Sequence, residues 1–152
     1  MKPADKFAVV DVHYERRVRE SFARQGLMKH LGARLTELEP GQVEIRAAYR
    51  DELTQQHGYF HAGVSGSLAD CACGYAAFTL MPSDASVLTV EYKMNLLAPA
   101  EGEELIARAR VVRSGKTLKV CMADVFARKG KAEAHCATML ATIMCLAGKA
   151  DR

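Results

Sequence analysis

The alternation of apolar and polar positions divides the chain into an amphipathic segment, a strand pair, an almost continuously apolar stretch and a series of long strands. Between Glu15 and Gln25, Val18 and Phe22 share one helical face, Glu15/Arg19 and Glu20/Arg24 stand four apart, and Gly26 follows as a stop. This predicts a helix whose apolar face packs. Leu31–Glu39 and Val43–Tyr49 flank the turn dipeptide Pro40-Gly41, and Val43, Ile45 and Ala47 alternate with polar neighbours, which predicts a hairpin. From Ala62 to Met81 the residues are mostly small and apolar, the pattern of a helix buried inside a protein, and Pro82 closes it. Beyond Val87 the period becomes two. Leu88, Val90, Tyr92, Met94 and Leu96 fall on one side and Thr89, Glu91, Lys93 and Asn95 on the other, a long strand with one wet or functional face. Pro99 and Gly102 mark the next turn. Strands over Glu104–Arg113 and Thr117–Arg128 meet at Ser114-Gly115-Lys116, and Lys129-Gly130-Lys131 turns into a last strand ending at Leu146. The sum is an α+β fold, a meander-like, curved antiparallel sheet laid over one long central helix, with an extra N-terminal helix.

Composition narrows the class. With 152 residues, 49% of them hydrophobic, the chain can bury a core of its own, and one domain is expected over residues 1–152, with 1–30 as an N-terminal extension. The net charge of +3 is modest, and Lys and Arg are interleaved with Asp and Glu except around Arg16, Arg17, Arg19 and Arg24, which read as a solvated helix face. Few aromatic residues and no Trp argue further against nucleic acid as a partner. Cys71, Cys73, Cys121, Cys136 and Cys145 are odd in number, lack metal-ligand spacing and sit in apolar segments. They read as small reduced core residues of a cytoplasmic protein. No basic-then-apolar leader supports secretion. The stretch Ala62–Met81 could mimic a membrane span, but Asp70 at its middle would cost about 2.5–3.5 kcal/mol in a bilayer. Its Gly, Ala and Ser suit tight packing within a protein instead, so no membrane is expected.

The candidate chemistry lies where Gln55-Gln56-His57-Gly58-Tyr59-Phe60-His61-Ala62-Gly63 runs into the apolar helix. A helix N-terminus offers unpaired N–H groups and partial positive charge to a developing oxyanion. The same helix carries one acid, Asp70. Acids inside helices are most often surface residues, yet Leu68, Ala69, Cys71, Ala72 and Cys73 leave this one little solvent-facing surface, so it is expected to be buried and functional. Taken singly, His61 reads equally well as a structural histidine, Thr89 as a β-propensity choice, and Arg113 and Lys116 as solubilising charges beside a hairpin. His13, His30, His57 and His135 show no partner pattern. A thiol nucleophile at Cys71 or Cys73 lacks an electropositive setting. Gly63-Val64-Ser65-Gly66 has the wrong spacing for a nucleophile elbow, and neither a phosphate loop nor a metal cluster is visible, so metal-free chemistry is favoured. Nine positions of helix separate His61 from Asp70 by roughly 13 Å. They cannot serve one small group within a subunit. Two copies related by a two-fold axis with antiparallel helices could bring Asp70 of one to the His61 end of the other, so a shared site predicts a homodimer.

Three segments together carry a resemblance. Gln55 to Val64 followed by Ser67-Leu68-Ala69-Asp70 and Gly74-Tyr75-Ala76-Ala77, then Thr89 to Ala100, then Arg113 to Leu118, resemble the PaaI-like acyl-CoA thioesterases of the hotdog superfamily. The resemblance implies a hotdog fold and hydrolysis of an acyl-CoA to free acid and thiol, with no cofactor other than the coenzyme A of the substrate. It implies that Asp70 activates water or attacks the thioester carbonyl, that Gln55 contacts that carbonyl, and that the amide of Ala62 completes the oxyanion site while His61 orients the turn. Gln56 and Gly63 fall within the same substrate-binding turn, and the order of Gln55 and Gln56 is open. Thr89 would hold the water near the acid. Arg113, Ser114, Gly115 and Lys116 would meet the nucleotide end of coenzyme A. The family usually has Gly where this chain has Ala62. The backbone donor survives that change, and reduced clearance for the substrate is expected with activity retained. Two other readings stay open, a hotdog enoyl-CoA hydratase or dehydratase and a non-catalytic acyl-CoA-binding protein. A pairing of two dimers is expected, with the polar side of the Thr89 strand as a candidate face. Tyr59, Phe60, Tyr75 and Phe78 read either as acyl-pocket lining or as core.

Overall fold

A computed structural model describes residues 7–151. In chain order it contains α1 (Tyr14–Arg24), α2 (Gly26–His30), β1 (Arg34–Glu39), β2 (Gln42–Ala48), a single 3-10 turn at Asp51–Leu53, α3 (Ala62–Phe78), β3 (Ser86–Leu96), β4 (Glu104–Ser114), β5 (Leu118–Lys129) and β6 (Ala132–Leu146). The six strands form one antiparallel sheet in the order β1-β2-β4-β5-β6-β3, and α3 packs on one face of it. This is the helix-and-wrapping-sheet arrangement that the hotdog resemblance implies.

Alternation decides which strand residues meet the helix. Val43, Ile45 and Ala47 of β2, Leu105, Ala107 and Ala109 of β4, and Cys121, Ala123 and Val125 of β5 enter one core with Leu68, Ala69, Ala72, Cys73, Ala76 and Ala77 of α3. Most of these α3 side chains are a methyl or a thiol, so the helix can lie close to the sheet and still fill the space between them. The opposite face of the sheet carries charge. Glu44, only 1% exposed, accepts hydrogen bonds from Thr36, Arg46 and Arg108. Burial pushes its carboxyl up, but those donors outweigh it and the net shift is downward.

The strand order departs from a meander in one respect. β3 follows α3 in sequence but pairs with β6, the last strand, and so forms the sheet edge far from β2. β3 also departs from strict alternation. Its pairing with β6 steps from Thr89↔Ile143 to Glu91↔Thr142, leaving Val90 as a bulge. Regular alternation would put Thr89 and Met94 on opposite faces. With the extra residue both face α3: Thr89 bonds Asp70, and Met94 packs against the core beside Gly66. Glu91 is turned to the outer side, where the Thr142 hydroxyl donates to it.

Helix limits differ from the sequence expectation at three places. Gly26 does not stop the first helix. Gln25 does, with extended backbone (φ −72°, ψ 110°), and Gly26 opens the short α2. The strand expected from Leu31 begins at Arg34, because Leu31 caps α2 and Gly32 turns the chain at φ +64°. α3 ends at Phe78 rather than Met81. The Leu80 and Met81 amides already bond three residues back, and the Thr79 hydroxyl donates to the Ala76 carbonyl while accepting from the Gly41 amide, both at 2.7 Å. Gly41 (φ +75°) lies so close to the Phe7 ring that a Cβ there would stand 2.9 Å from it.

Arg17 is no solvated charge. Its Nε donates to Asp11 at 2.9 Å, its Nη2 donates to the Met81 and Phe78 carbonyls at 2.8 and 3.3 Å, and its guanidinium lies 4.1 Å from the centroid of the Phe78 ring. It therefore clasps α1 to the C-terminal end of α3, where the helix dipole favours a cation. Burial raises the Asp11 carboxyl, but the His13 amide and Arg17 outweigh it, so the folded value lies below the usual one near 3.8. A lowered folded value means that this contribution is complete above the unfolded pKa and fades as pH falls through the folded one. Arg17→Ala is expected to lower the unfolding free energy by about 3 kcal/mol near neutral pH. In urea titrations the gap between wild type and variant should narrow below pH 3.8.

Candidate active site

The chain between β2 and α3 folds into a miniature hairpin that aims two polar groups at one cleft. Thr54 and Phe60 form an isolated antiparallel bridge, the Gln55 amide donates to the Tyr59 carbonyl, and Gly58, at φ +80°, donates back to the Gln55 carbonyl. The His61 amide is anchored on the Leu53 carbonyl and the Phe60 amide on Ala100. Gln55 and Ala62 are thereby brought to a cleft of about 270 Å³, which Tyr59, Phe60, Leu96 and Pro99 also line. The Gln55 carboxamide oxygen accepts from the His57 amide, and its NH₂ has no partner among the described residues. Gln56 is exposed and does not line this cleft, so geometry separates the two glutamines that sequence left exchangeable.

His61 is the N-cap of α3. Its Nδ1 accepts the Gly63 amide at 2.8 Å, while Val64 donates to the His61 carbonyl at 2.9 Å. A Cβ on Gly63 would stand 3.0 Å from that Nδ1, which explains the small residue there. With those amides engaged, the Ala62 N–H is the first-turn donor without a partner among the described residues. Because Nδ1 accepts, a neutral His61 must carry its proton on Nε2.

Asp70 lies two and a half turns along α3 and opens onto a different cleft. It is half-buried, not sealed in the core as its neighbours implied. The Thr89 hydroxyl donates to its Oδ1 at 2.7 Å, and Oδ2 has no partner among the described residues. The cleft, about 380 Å³, is lined by α3, β3 and the α1–α2 corner, with Gln25, Met28, Cys71, Tyr75 and Tyr92 among its residues. Within one chain, then, Ala62 and Gln55 share one cleft and Asp70 and Thr89 another, in keeping with roughly 13 Å of intervening helix.

Arg113 and Ser114 end β4 and Gly115 and Lys116 enter the turn to β5, and none of the four lines either cleft. Gly115 is pinned twice, its amide donating to Leu118 and its carbonyl accepting from the buried Lys119. Ser114 lies in one cross-strand row with Lys119, Ile143 and Thr89, three strand spacings or about 14 Å from Thr89. All five cysteines are free and buried. Burial pushes Cys121 up to about 12 and Cys71 and Cys73 up as well, so Cys71 lines the Asp70 cleft as a thiol. Phe78 belongs to the core, whereas Phe60 is both core and wall of the Gln55 cleft, and Tyr75 both core and wall of the Asp70 cleft. Gln25, Leu27 and Met28 are cleft residues that sequence reading missed. Their only signal was the interruption at Gln25-Gly26, which reads as a helix end. Among the described residues no group of three or more His, Cys, Asp or Glu could hold a metal ion, and no helix is long and apolar enough to cross a membrane.

The chain is similar to several known proteins. The family model of the thioesterase superfamily matches residues 57–134, about half of the chain, from the miniature hairpin to the start of β6. The crystal structure of a thioesterase family protein from Silicibacter pomeroyi is 52% identical and superposes with a TM-score of 0.87, covering 89% of this chain and 99% of that one. The 1,4-dihydroxy-2-naphthoyl-CoA hydrolase of Listeria monocytogenes is 28% identical over 95 residues, 62% of this chain and 77% of that enzyme. The E. coli PaaI protein, from the phenylacetic acid degradation operon, is 18% identical and shares the fold, with a TM-score of 0.80 over 93% of this chain and 99% of that one. By family match, and by a shared fold at 52% identity over nearly nine tenths of its length, the chain belongs to the thioesterase superfamily and is a thioester hydrolase of the hotdog fold.

Proposed function

We propose that this protein hydrolyses acyl-CoA thioesters at a site built from two copies of the chain. The observation that carries the reading is the division of polar groups into two incomplete halves. The uncommitted Ala62 N–H and the Gln55 NH₂ meet in one cleft, and Asp70 with its Thr89 partner opens onto another. Amide donors suit the oxyanion that forms as a thioester carbonyl becomes tetrahedral, where one such donor is worth about 2.7–4 kcal/mol. A half-buried carboxylate held by a hydroxyl suits the role of general base toward water, or of nucleophile toward the carbonyl itself. In the base mechanism water adds to the carbonyl carbon, its proton passes to Asp70, and the C–S bond breaks as the thiolate leaves and takes up a proton. Thr89 holds the carboxylate and its water in register.

Edge strand β3 supports the pairing. Leu88, Val90, Tyr92 and Leu96 are each 50–60% exposed there, and one side of its backbone has no strand neighbour. Such an edge is a template for another strand. Antiparallel pairing of β3 with its symmetry mate would continue the sheet, cover these side chains and carry Asp70 toward the partner's helix N-terminus. The Arg113–Lys116 turn is assigned to the nucleotide end of coenzyme A, with no other cofactor, and a pairing of two dimers is the expected larger assembly. The hydrolase named among the relatives acts on an aromatic CoA thioester. This supports a CoA thioester as substrate here.

Asp70→Asn is expected to lower kcat for thiol release by on the order of 10²–10⁴ while leaving the melting temperature and oligomeric state intact. Wild-type turnover in that variant would remove Asp70 from the mechanism, and hydration of an enoyl-CoA without thiol release would replace the hydrolase by a hydratase. Co-refolding Asp70→Asn with Gln55→Ala, each nearly inactive alone, should restore about a quarter of wild-type activity, because half of the dimers are mixed and each mixed dimer keeps one intact site. No recovery would show that the two residues act within one subunit. His61→Ala should cost about 1 kcal/mol of stability through loss of the helix cap, with His61→Asn recovering most of it in denaturant titrations.

A further inference from the structure

Among the described residues the buried charged side chains are Asp11, Glu44, Glu104 and Lys119. Each carboxylate meets at least one arginine: Asp11 meets Arg17, Glu44 meets Arg46 and Arg108, and Glu104 meets Arg34, Arg46 and Arg128. Lys119, only 3% exposed, differs. Its Nζ donates to the Gly115 carbonyl at 2.9 Å, and it takes part in no ion pair among the described residues. Burial pushes its ammonium down from the usual value. A cation taken out of water costs free energy that one neutral acceptor does not return. The surrounding segment is basic as well: from Val111 to Cys121 the chain has Arg113, Lys116 and Lys119 but no Asp or Glu. Arg113 and Lys116 are exposed, and the Lys116 and Thr117 amides at the tip of the turn have no hydrogen-bond partner among the described residues. The Gly115 carbonyl held by Lys119 belongs to the same peptide group as the Lys116 N–H, so a charged donor on the oxygen strengthens that N–H as a donor outward.

We infer that Lys119 is a positioning residue for the phosphate-bearing end of the substrate: through the Gly115–Lys116 peptide it fixes the turn and sets a positive charge beneath it, and the bound nucleotide phosphate is the counter-charge that the fold itself does not provide. The inference rests on the acyl-CoA reading and on the assignment of the Arg113–Lys116 turn to the nucleotide end of coenzyme A. Arg113 and Lys116 stand on flexible, exposed stems, whose ordering on binding costs side-chain entropy. The Lys119 stem is already ordered by burial, so its charge is in place before the ligand arrives. Lys119 acts through Gly115 and does not itself touch the substrate.

The test is free-thiol release from the CoA and the pantetheine thioesters of two acyl groups, benzoyl and hexanoyl, since pantetheine lacks the nucleotide and its phosphates. Wild type should favour the CoA thioester in kcat/KM. Lys119→Met, which keeps an unbranched stem and loses the charge, should lower that preference by roughly 3- to 10-fold, the worth of one partly screened charge, with the loss in KM for the CoA thioester rather than in kcat. Lys119→Gln keeps a neutral hydrogen-bond donor and should lower it as well, which separates the charge from the pinning of the turn. Lys116→Gln is the reference for the turn itself and should also lower the preference. A preference that falls in Lys116→Gln but is retained in either folded Lys119 variant leaves Lys119 a structural part only and overturns the inference alone. A wild type without preference for CoA, or a preference that Lys116→Gln does not lower, overturns the assignment of the turn and the inference with it. Absence of thiol release from all four thioesters would instead overturn the hydrolase reading, and with it the inference.

Discussion

Because α3 is assembled largely from Ala, Gly, Ser and Cys, it can sit close against the sheet, and nearly everything else in the molecule follows from that contact. Buried on most of its circumference, the helix leaves little room for polar groups, and the single acid it carries must open along the one flank where the sheet ends, at β3. The N-terminal end of the same helix emerges into the miniature hairpin of residues 54–60. One rigid rod thus holds the two kinds of chemistry, amide donors at its tip and a carboxylate on its flank, at a fixed separation.

Hydrogen-bond accounting at the helix tip explains why one amide is singled out. Gly63 spends its N–H on the His61 ring and Val64 on the His61 carbonyl. The histidine acts on its own helix as a cap, and the consequence is a defined donor at Ala62 rather than a fringe of competing ones. The Ala62 methyl group, where the family usually has none, lines the cleft without disturbing that donor. At the flank, the bulge at Val90 does comparable work for the carboxylate. It lets Thr89 face the helix while Met94, farther along the same strand, still fills the core.

The N-terminal corner is tied to this frame by hydrogen bonds and a cation–π contact. Arg17 joins α1 to the last carbonyls of α3, and Gln25 and Ser21 reach Tyr75 on the same helix. The corner is therefore fixed to the helix that bears Asp70 and forms one wall of its cleft. On the far face of the sheet, Glu44 and Glu104 are held among arginines, Arg46 bonding both. Those charges are occupied with one another and stand on the face of the sheet opposite to α3.

Periodicity alone determined the helix-then-strands order, the buried apolar helix and the long alternating strands, since each follows from which side chains can face water. The candidate site residues were also legible, because a polar turn running into an apolar helix with one acid is a local pattern. Tertiary structure decided what depends on distant neighbours. Pairing of β3 with β6 is a contact across about fifty residues that no local pattern encodes, and the bulge that reorients Thr89 follows from that pairing. Arg17 and Gln25 looked like surface residues of an ordinary helix, because the carbonyls, ring and hydroxyl they bind lie some fifty to sixty positions away. The different settings of Gln55 and Gln56 likewise arise only in three dimensions, where the turn at Gly58 leaves one glutamine lining the cleft beside Ala62 and the other exposed.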